Sequence, residues 1–337
     1  MNNLSSNNYD LLIITGPTAS GKTSVAAAVA HRLGGEIISA DSRQVYRRMN
    51  IGTGKDYDDY IINGTQIPCH LIDIVEPGEK YNVFEYQRHF FKVYESLRQR
   101  GIFPVVCGGS GMWIDSVVSG YKMIEVPPNN NLRKQLEEKT LEELTEILFS
   151  LKKLHNTTDI DTKKRAIRAI EIEYYTQNNA ANVSQTLTIN PLIVGILPDI
   201  DRRRENIAKR LQSRLNEGMI EEVKGLLDSG IAPDALIYYG LEYKFITLYL
   251  INLLTYDQMV SSLQTAICQF AKRQMTWFRG MERKGTKIHW IDAQLPLNDK
   301  ISVILNLLDK KPHLFGVGLP TKLTQDLCQI NNNAMNE

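Results

Sequence analysis

The chain has no excess of either charge, no paired cysteine motif and no long apolar run, and each absence closes a class of function. Thirty-nine Lys and Arg stand against 38 Asp and Glu, a net +1. The molecule is therefore no polycation, and any grip on nucleic acid must come from local clusters of Lys and Arg. The four cysteines (Cys69, Cys107, Cys268, Cys328) are scattered, with no C-x-x-C pair and no His spaced to complete a zinc site. They read as reduced cytosolic thiols. Residues 1–10 are polar and Asn-rich and lack the basic start and long apolar stretch of a signal peptide. The run at 11–14 is far too short to span a bilayer, and the longest apolar region, 245–254, is broken by Thr247 and Asn252. The expectation is a soluble cytoplasmic protein without a membrane partner.

What is present starts with length: 337 residues leave room for one large domain or two modest ones. Leu11-Leu12-Ile13-Ile14 reads as a strand covered on both faces in a parallel sheet. Gly16-Pro17-Thr18-Ala19-Ser20-Gly21-Lys22-Thr23 follows, then an Ala-rich helical segment, 24–33, that ends at Gly34-Gly35. Strand, G-x-x-x-x-G-K-T and helix in that order make the context of a P-loop, the nucleotide- and ATP-binding signature. Its glycines let backbone N–H groups point at phosphate oxygens, and the helix N-terminus adds partial positive charge. Lys22 would reach the terminal phosphate and the Thr23 hydroxyl would ligate Mg²⁺.

A P-loop does not say whether a phosphoryl group moves. ATPases pair it with an acid at the end of a second strand. The best second strand, 102–107, ends instead in Gly108-Gly109-Ser110-Gly111, without a carboxylate. A further strand, 36–40, delivers Asp41 to the sheet edge where open α/β sheets bind ligands. Asp41 either caps a following helix or accepts a substrate proton, with a role as outer partner of the metal also open.

These residues resemble one family. GPTASGKT, then Ser39-Ala40-Asp41-Ser42-Arg43-Gln44-Val45-Tyr46, Ile51-Gly52-Thr53-Gly54-Lys55, Cys69-His70-Leu71-Ile72-Asp73-Ile74, Gly108-Gly109-Ser110-Gly111-Met112-Trp113 and Lys272-Arg273-Gln274-Met275-Thr276-Trp277-Phe278-Arg279 follow the order seen in tRNA dimethylallyltransferases, also called tRNA isopentenyltransferases. The likeness runs from about residue 11 to 292, nearly the whole chain.

The resemblance implies transfer of the dimethylallyl group of dimethylallyl diphosphate to N6 of the adenosine 3′ to the anticodon, with Mg²⁺ required and diphosphate released. It makes Asp41 the acceptor of the amine proton, and it sets Lys22, the loop amides, Mg²⁺ and an arginine around the leaving diphosphate. For that arginine the matching helix offers Arg210, whose other reading is a solvated position on a basic face. Ser110 stands where the family has Thr and keeps the hydroxyl. Asp41, Ser42, Arg43, Gln44, Lys55, Ser110, Arg133, Lys164, Arg165, Arg168, Lys272, Arg273, Gln274 and Arg279 match positions expected to meet tRNA. Three departures stand out: Asp56 replaces a Pro, Trp113 replaces Tyr, and Tyr239-Gly240-Leu241-Glu242-Tyr243 fits only a subset of the family.

The fold class expected is α/β, a P-loop NTPase-like parallel sheet flanked by helices, with an inserted α-helical tRNA-binding subdomain. Residues 9–120 and 191–292 form the core, 121–190 the insertion, and 293–337 an extension of unknown role. Within the insertion, 132–154 reads as one amphipathic helix, 161–175 as a second and 178–189 as a loop. Lys163, Lys164, Arg165 and Arg168 have only Asp161 close before them, which favours phosphate contact over a surface of ion pairs. Further cations lie at 202–204, 209, 210, 214 and 272–287, the last with Trp277 and Phe278, suited to unstacked bases or to the core. A target adenine would have to flip out of its loop. The anticodon stem-loop is the expected partner and a monomer the expected state. Two other enzymes share the loop chemistry: a small-molecule P-loop kinase and an isopentenyltransferase of free adenine nucleotides. An insertion of roughly sixty to seventy residues, well beyond ordinary loops, argues for tRNA.

Overall fold

A computed structural model describes residues 9–121, 123, 125–152, 158–179 and 189–309. In chain order the elements are β1 (Leu11–Thr15), α1 (Lys22–Leu33), β2 (Glu36–Ser39), β3 (Ile61–Ile62), β4 (Thr65–Gln66), β5 (Cys69–His70), α2 (Val83–Gln99), β6 (Pro104–Gly108) and α3 (Gly111–Val118). The insertion supplies α4 (Asn130–Glu137), α5 (Leu141–Leu151) and α6 (Lys163–Asn178). Then come β7 (Pro191–Leu197), α7 (Ile200–Asn216), α8 (Met219–Asp228), α9 (Pro233–Tyr238), α10 (Leu241–Leu250), α11 (Tyr256–Arg283), β8 (His289–Asp292) and α12 (Leu297–Asp309).

Six strands form a parallel sheet in the order β5-β2-β6-β1-β7-β8. β1 lies inside it between β6 and β7, so its residues have apolar cover on both faces. Leu11 and Ile13 join one core with α2, α3, α7 and α11, while Leu12 and Ile14 join another beneath α1 and α12. That two-sided burial explains an uninterrupted apolar run where a half-exposed strand would alternate. The alanines of α1 let its backbone come close to the sheet: Ala26, Ala27 and Ala30 are fully buried. Gly34 then ends the helix in the left-handed region, its N–H donating to the Ala30 and His31 carbonyls. β3 and β4 form a small hairpin through Asn63-Gly64, both with positive φ, as a two-residue turn of this type demands.

One helix differs from the sequence expectation. The span 132–154 is two helices, because Thr140 starts a new one: its hydroxyl accepts the Glu143 N–H, and Glu143 reciprocates on the Thr140 N–H. The described part of the extension after residue 292 includes α12. Ile301, Ile304 and Leu308 of α12 are buried against the α1 side of the sheet. The insertion has its own small core of Leu136, Leu144, Leu148, Ala166, Ile167, Ala169 and Ile170. The expected loop at 178–189 lies largely outside the described residues, as do Cys328 and the Asn-rich tail.

Candidate functional site

The loop Gly16–Thr23 joins β1 to α1, and α1 starts at Lys22 with no side-chain cap on its first amides. Gly16, Ala19 and Gly21 all have positive φ, the curled backbone that brings successive N–H groups to one side. The Lys22 ammonium donates to the Pro17 carbonyl at 3.3 Å. Burial lowers its pKa, while Asp41 lies near enough to oppose that lowering. Two side chains from distant helices fix the loop. Gln274 of α11 accepts from the Thr18 N–H at 2.8 Å and donates to the Gly109 carbonyl at 2.8 Å. Asn206 of α7 donates to the Ala19 carbonyl at 3.3 Å.

The tips of β2 and β6 are tied together beside this loop. The Ser42 N–H donates to Ser110 Oγ at 2.9 Å, and the Ser110 N–H to the Ala40 carbonyl at 3.1 Å. No helix follows Asp41. Its Oδ1 instead accepts the Arg43 N–H at 2.9 Å in an Asx turn, which leaves Oδ2 without that duty. Gln44 donates to the Gly54 carbonyl at 2.9 Å. The backbone it reaches is pinned from α8, where Glu222 accepts the N–H groups of Asn50, Ile51 and Gly52 at 2.8–3.0 Å. Lys55 is buried, donating to Asp73 and to the Tyr46 carbonyl. It therefore braces the loop from within, and Gln274 likewise is an internal bridge, although both match positions expected to meet tRNA.

Against the phosphate loop lies a cavity of about 920 Å³. Its walls carry Lys22, Arg202, Lys209, Arg210, Arg214 and Lys300 against three carboxylates, so it favours anions. Asp41 and Ser110 are not on its walls. Arg210 is, 3.7 Å from Asp56. From sequence, Asp56 stood out only as a departure from the family pattern and Arg214 only as one cation among several, and Asn206 had no assigned role. The available signal was helical spacing: 206, 210 and 214 recur at four-residue steps on one face of α7.

The insertion uses its cations differently. Glu171 is 2% exposed and accepts from Arg133 Nε and Nη2 at 3.0 and 2.7 Å, from the Asn129 N–H, and from Arg168. Burial would raise its pKa, yet the Arg133 bonds and these other donors hold it down to about 2. Arg165 pairs with Asp161 at 2.8 Å, whereas Lys164 is exposed and makes no ion pair among the described residues. On α11, Lys272, Arg273 and Arg279 are exposed, with the Arg273 guanidinium 5.9 Å from the Phe270 ring centre. Phe278 is fully buried, while Trp277 is 37% exposed and lies over Gly111, where a Cβ would come within 2.5 Å of Cδ1.

This arrangement has relatives. The family model described as IPP transferase matches residues 44–281, and that described as isopentenyl transferase matches 9–67. The chain belongs to the IPP transferase family, the tRNA dimethylallyltransferases. It is 60% identical over 303 residues to tRNA dimethylallyltransferase 1 of Parabacteroides distasonis, covering 90% of this chain and 99% of the relative. A solved structure of a tRNA isopentenylpyrophosphate transferase from Bacillus halodurans superposes with a TM-score of 0.65 at 29% identity, over 89% of this chain and 95% of that one. A eukaryotic dimethylallyltransferase solved acting on tRNA shares the fold, with a TM-score of 0.75 at 20% identity over 95% of this chain and 84% of that one. The six-stranded parallel sheet flanked by helices is thus the fold of the IPP transferases. Among the described residues no helix is long and apolar enough to cross a membrane.

Proposed function

We propose that this IPP transferase moves the dimethylallyl group of dimethylallyl diphosphate onto N6 of the adenosine 3′ to the anticodon in tRNA. One observation carries the reading. A carboxylate, Asp41, is held by the Ser110-tied strand tips beside a phosphate loop that itself lines a cationic cavity. The exocyclic amine is a weak nucleophile because its lone pair is delocalised into the ring. As N6 attacks C1 of the dimethylallyl group, the C1–O bond breaks and diphosphate leaves with the electron pair. Asp41 takes the N6 proton, and the loop amides, Lys22 and Arg210 stabilise the charge that develops on the diphosphate.

Mg²⁺ suits the donors present. Among the described residues no three His, Cys, Asp or Glu converge on one point, and Mg²⁺ is commonly held by few protein oxygens together with substrate phosphates and water. Thr23 would hold it, and the ion would neutralise charge on the diphosphate. For tRNA, exposed Lys164, Lys272, Arg273 and Arg279 supply cations for the phosphate backbone. Arg43, 5.8 Å from the Tyr238 ring centre next to the Asx turn, and Ser42 would face the loop bases. The expected state is a cytoplasmic monomer, and sedimentation would check the monomer.

The test is a transfer assay with labelled dimethylallyl diphosphate and Mg²⁺, offered an anticodon stem-loop or free AMP. Label on the stem-loop, lost in Asp41→Ala, is the expected result. Label on AMP alone would move the chain to nucleotide prenylation and refute the tRNA reading.

A further inference from the structure

Two guanidinium groups crowd one corner of the cavity. Arg210 and Arg214 stand one turn apart on α7, and Nη2 of each converges on the backbone at Gly54. A Cβ there would lie 2.1 and 2.0 Å from them, and Gly54 has φ of +68°. Both Nη2 atoms face one carboxylate, Asp56, at 3.7 and 3.6 Å. Those distances allow charge attraction but are too long for hydrogen bonds, and the Asp56 side chain is 55% exposed. Arg214 itself is 8% exposed. Its Nη2 has no hydrogen-bond partner among the described residues. Glu242 and Glu217 add only weaker attraction.

Burial, and then the like charge of Arg210, push the Arg214 guanidinium down to about 10, so it remains charged at neutral pH. A buried cation with an unmade hydrogen bond beside a second cation is costly to keep. That cost is offset when one polyanion meets both. Ser20 Oγ of the phosphate loop is also buried without a partner among the described residues, and it lines the same cavity.

We propose that Arg214 is a second diphosphate-binding arginine, held by Asp56 in the free protein and handed to the diphosphate when substrate enters. The proposal rests on the functional reading above and goes beyond it. It adds a group to the anion site and makes Asp56 a positioning residue that competes with the ligand. With Asp56 in place, two neighbouring cations can share a corner without bound anion. When diphosphate arrives it displaces that carboxylate, and the carboxylate in turn favours release of the product.

Calorimetric titration of inorganic diphosphate into the full chain with Mg²⁺ tests this. Arg214→Met, similar in length and uncharged, should weaken binding roughly ten- to a hundredfold, the worth of one charge-assisted contact. Arg214→Lys should recover part of that loss, and Asp56→Asn should tighten binding severalfold. Affinity for an anticodon stem-loop should stay unchanged in all three. Melting without ligand separates a merely structural arginine. Arg214→Met should keep or raise Tm, because it removes a costly buried charge, and wild type should gain more Tm from diphosphate than the variant does. Wild-type affinity in Arg214→Met, with diphosphate binding otherwise intact, overturns the proposal and leaves the transferase reading standing. Failure of the wild-type chain to bind diphosphate overturns both.

Discussion

The phosphate-loop core and the helical insertion both carry candidate residues at matching family positions, but they use their charges in opposite ways. In the core, the candidate groups are held through backbone N–H groups: Asp41 accepts from the Arg43 N–H, Ser110 from the Ser42 N–H, and the loop's Thr18 N–H donates to the Gln274 side chain. In the insertion, three of four candidate cations are occupied by acids, with Arg133 and Arg168 on Glu171 and Arg165 on Asp161. A motif whose spacing fixes backbone geometry reports where an atom will be. A count of cations does not report which are free, because the neutralising acid can arrive from a distant turn.

The largest test of this contrast is Asp41→Asn. Asn keeps an oxygen for the Arg43 N–H, so the turn survives while the proton acceptor is lost. Transfer should fall by roughly 10²–10⁴-fold, with stem-loop affinity within a few-fold of wild type. An equal loss of binding and turnover would show that the core, too, acts through tRNA grip. Gln274→Leu comes next. It strips partners from the Thr18 N–H and the buried Gly109 carbonyl, a cost of about 1–3 kcal/mol. The expected signs are a lower Tm and a higher KM for dimethylallyl diphosphate, without a change in the salt dependence of tRNA binding. A changed salt slope would return Gln274 to the tRNA surface.

Much of the core was legible because its rules are local. Four apolar residues before a glycine-rich loop announce a buried parallel strand, and the Ala-rich segment ending at Gly34 announces a helix packed close to it. The Asp41 turn was not legible. Asp serves equally as helix cap and as Asx-turn former, and only the absence of a following helix decides between them. Lys55 and Gln274 match positions expected to meet tRNA, and their burial could not be read there, because a motif records identity and not depth. The break at 138–140 lay in plain view as Thr140 and Glu143 three residues apart, but the leucine spacing on either side masked it. Glu171 could not be assigned from sequence, since its partner Arg133 is 38 positions away.

Glu171 therefore provides the test from the insertion side. Glu171→Gln leaves Arg133 and Arg168 without their carboxylate. Both arginines are a third or more exposed, so solvent limits the penalty to about 2 kcal/mol. Faster amide exchange confined to α4 and α6 would register it, with diphosphate binding by the core unchanged. The same group sets a pH dependence. Its folded pKa is depressed from 4.5 to about 2, so its contribution is complete above about 4.5 and is lost as pH falls from there toward 2. Wild type should show this acid loosening of the insertion, and Glu171→Gln should lack it. Loosening of the core and insertion together would mean that the two do not respond separately.

The smallest effect separates two neighbours. Lys164 and Arg165 are adjacent on α6, exposed and equal in charge, but Arg165 spends its charge on Asp161 at 2.8 Å while Lys164 has no ion pair among the described residues. If free cations alone meet the tRNA backbone, Lys164→Ala should reduce the slope of log affinity against log salt by about 0.7–0.9, one phosphate contact's worth. Arg165→Ala should change that slope less, and its stability cost should stay within about 0.5 kcal/mol for an exposed pair. Equal slopes for the two variants would mean that tRNA draws Arg165 away from Asp161. The ion pairs of the insertion would then be a resting arrangement that RNA exchanges, as Asp56 is proposed to be for diphosphate in the core, and the contrast between the two regions would dissolve.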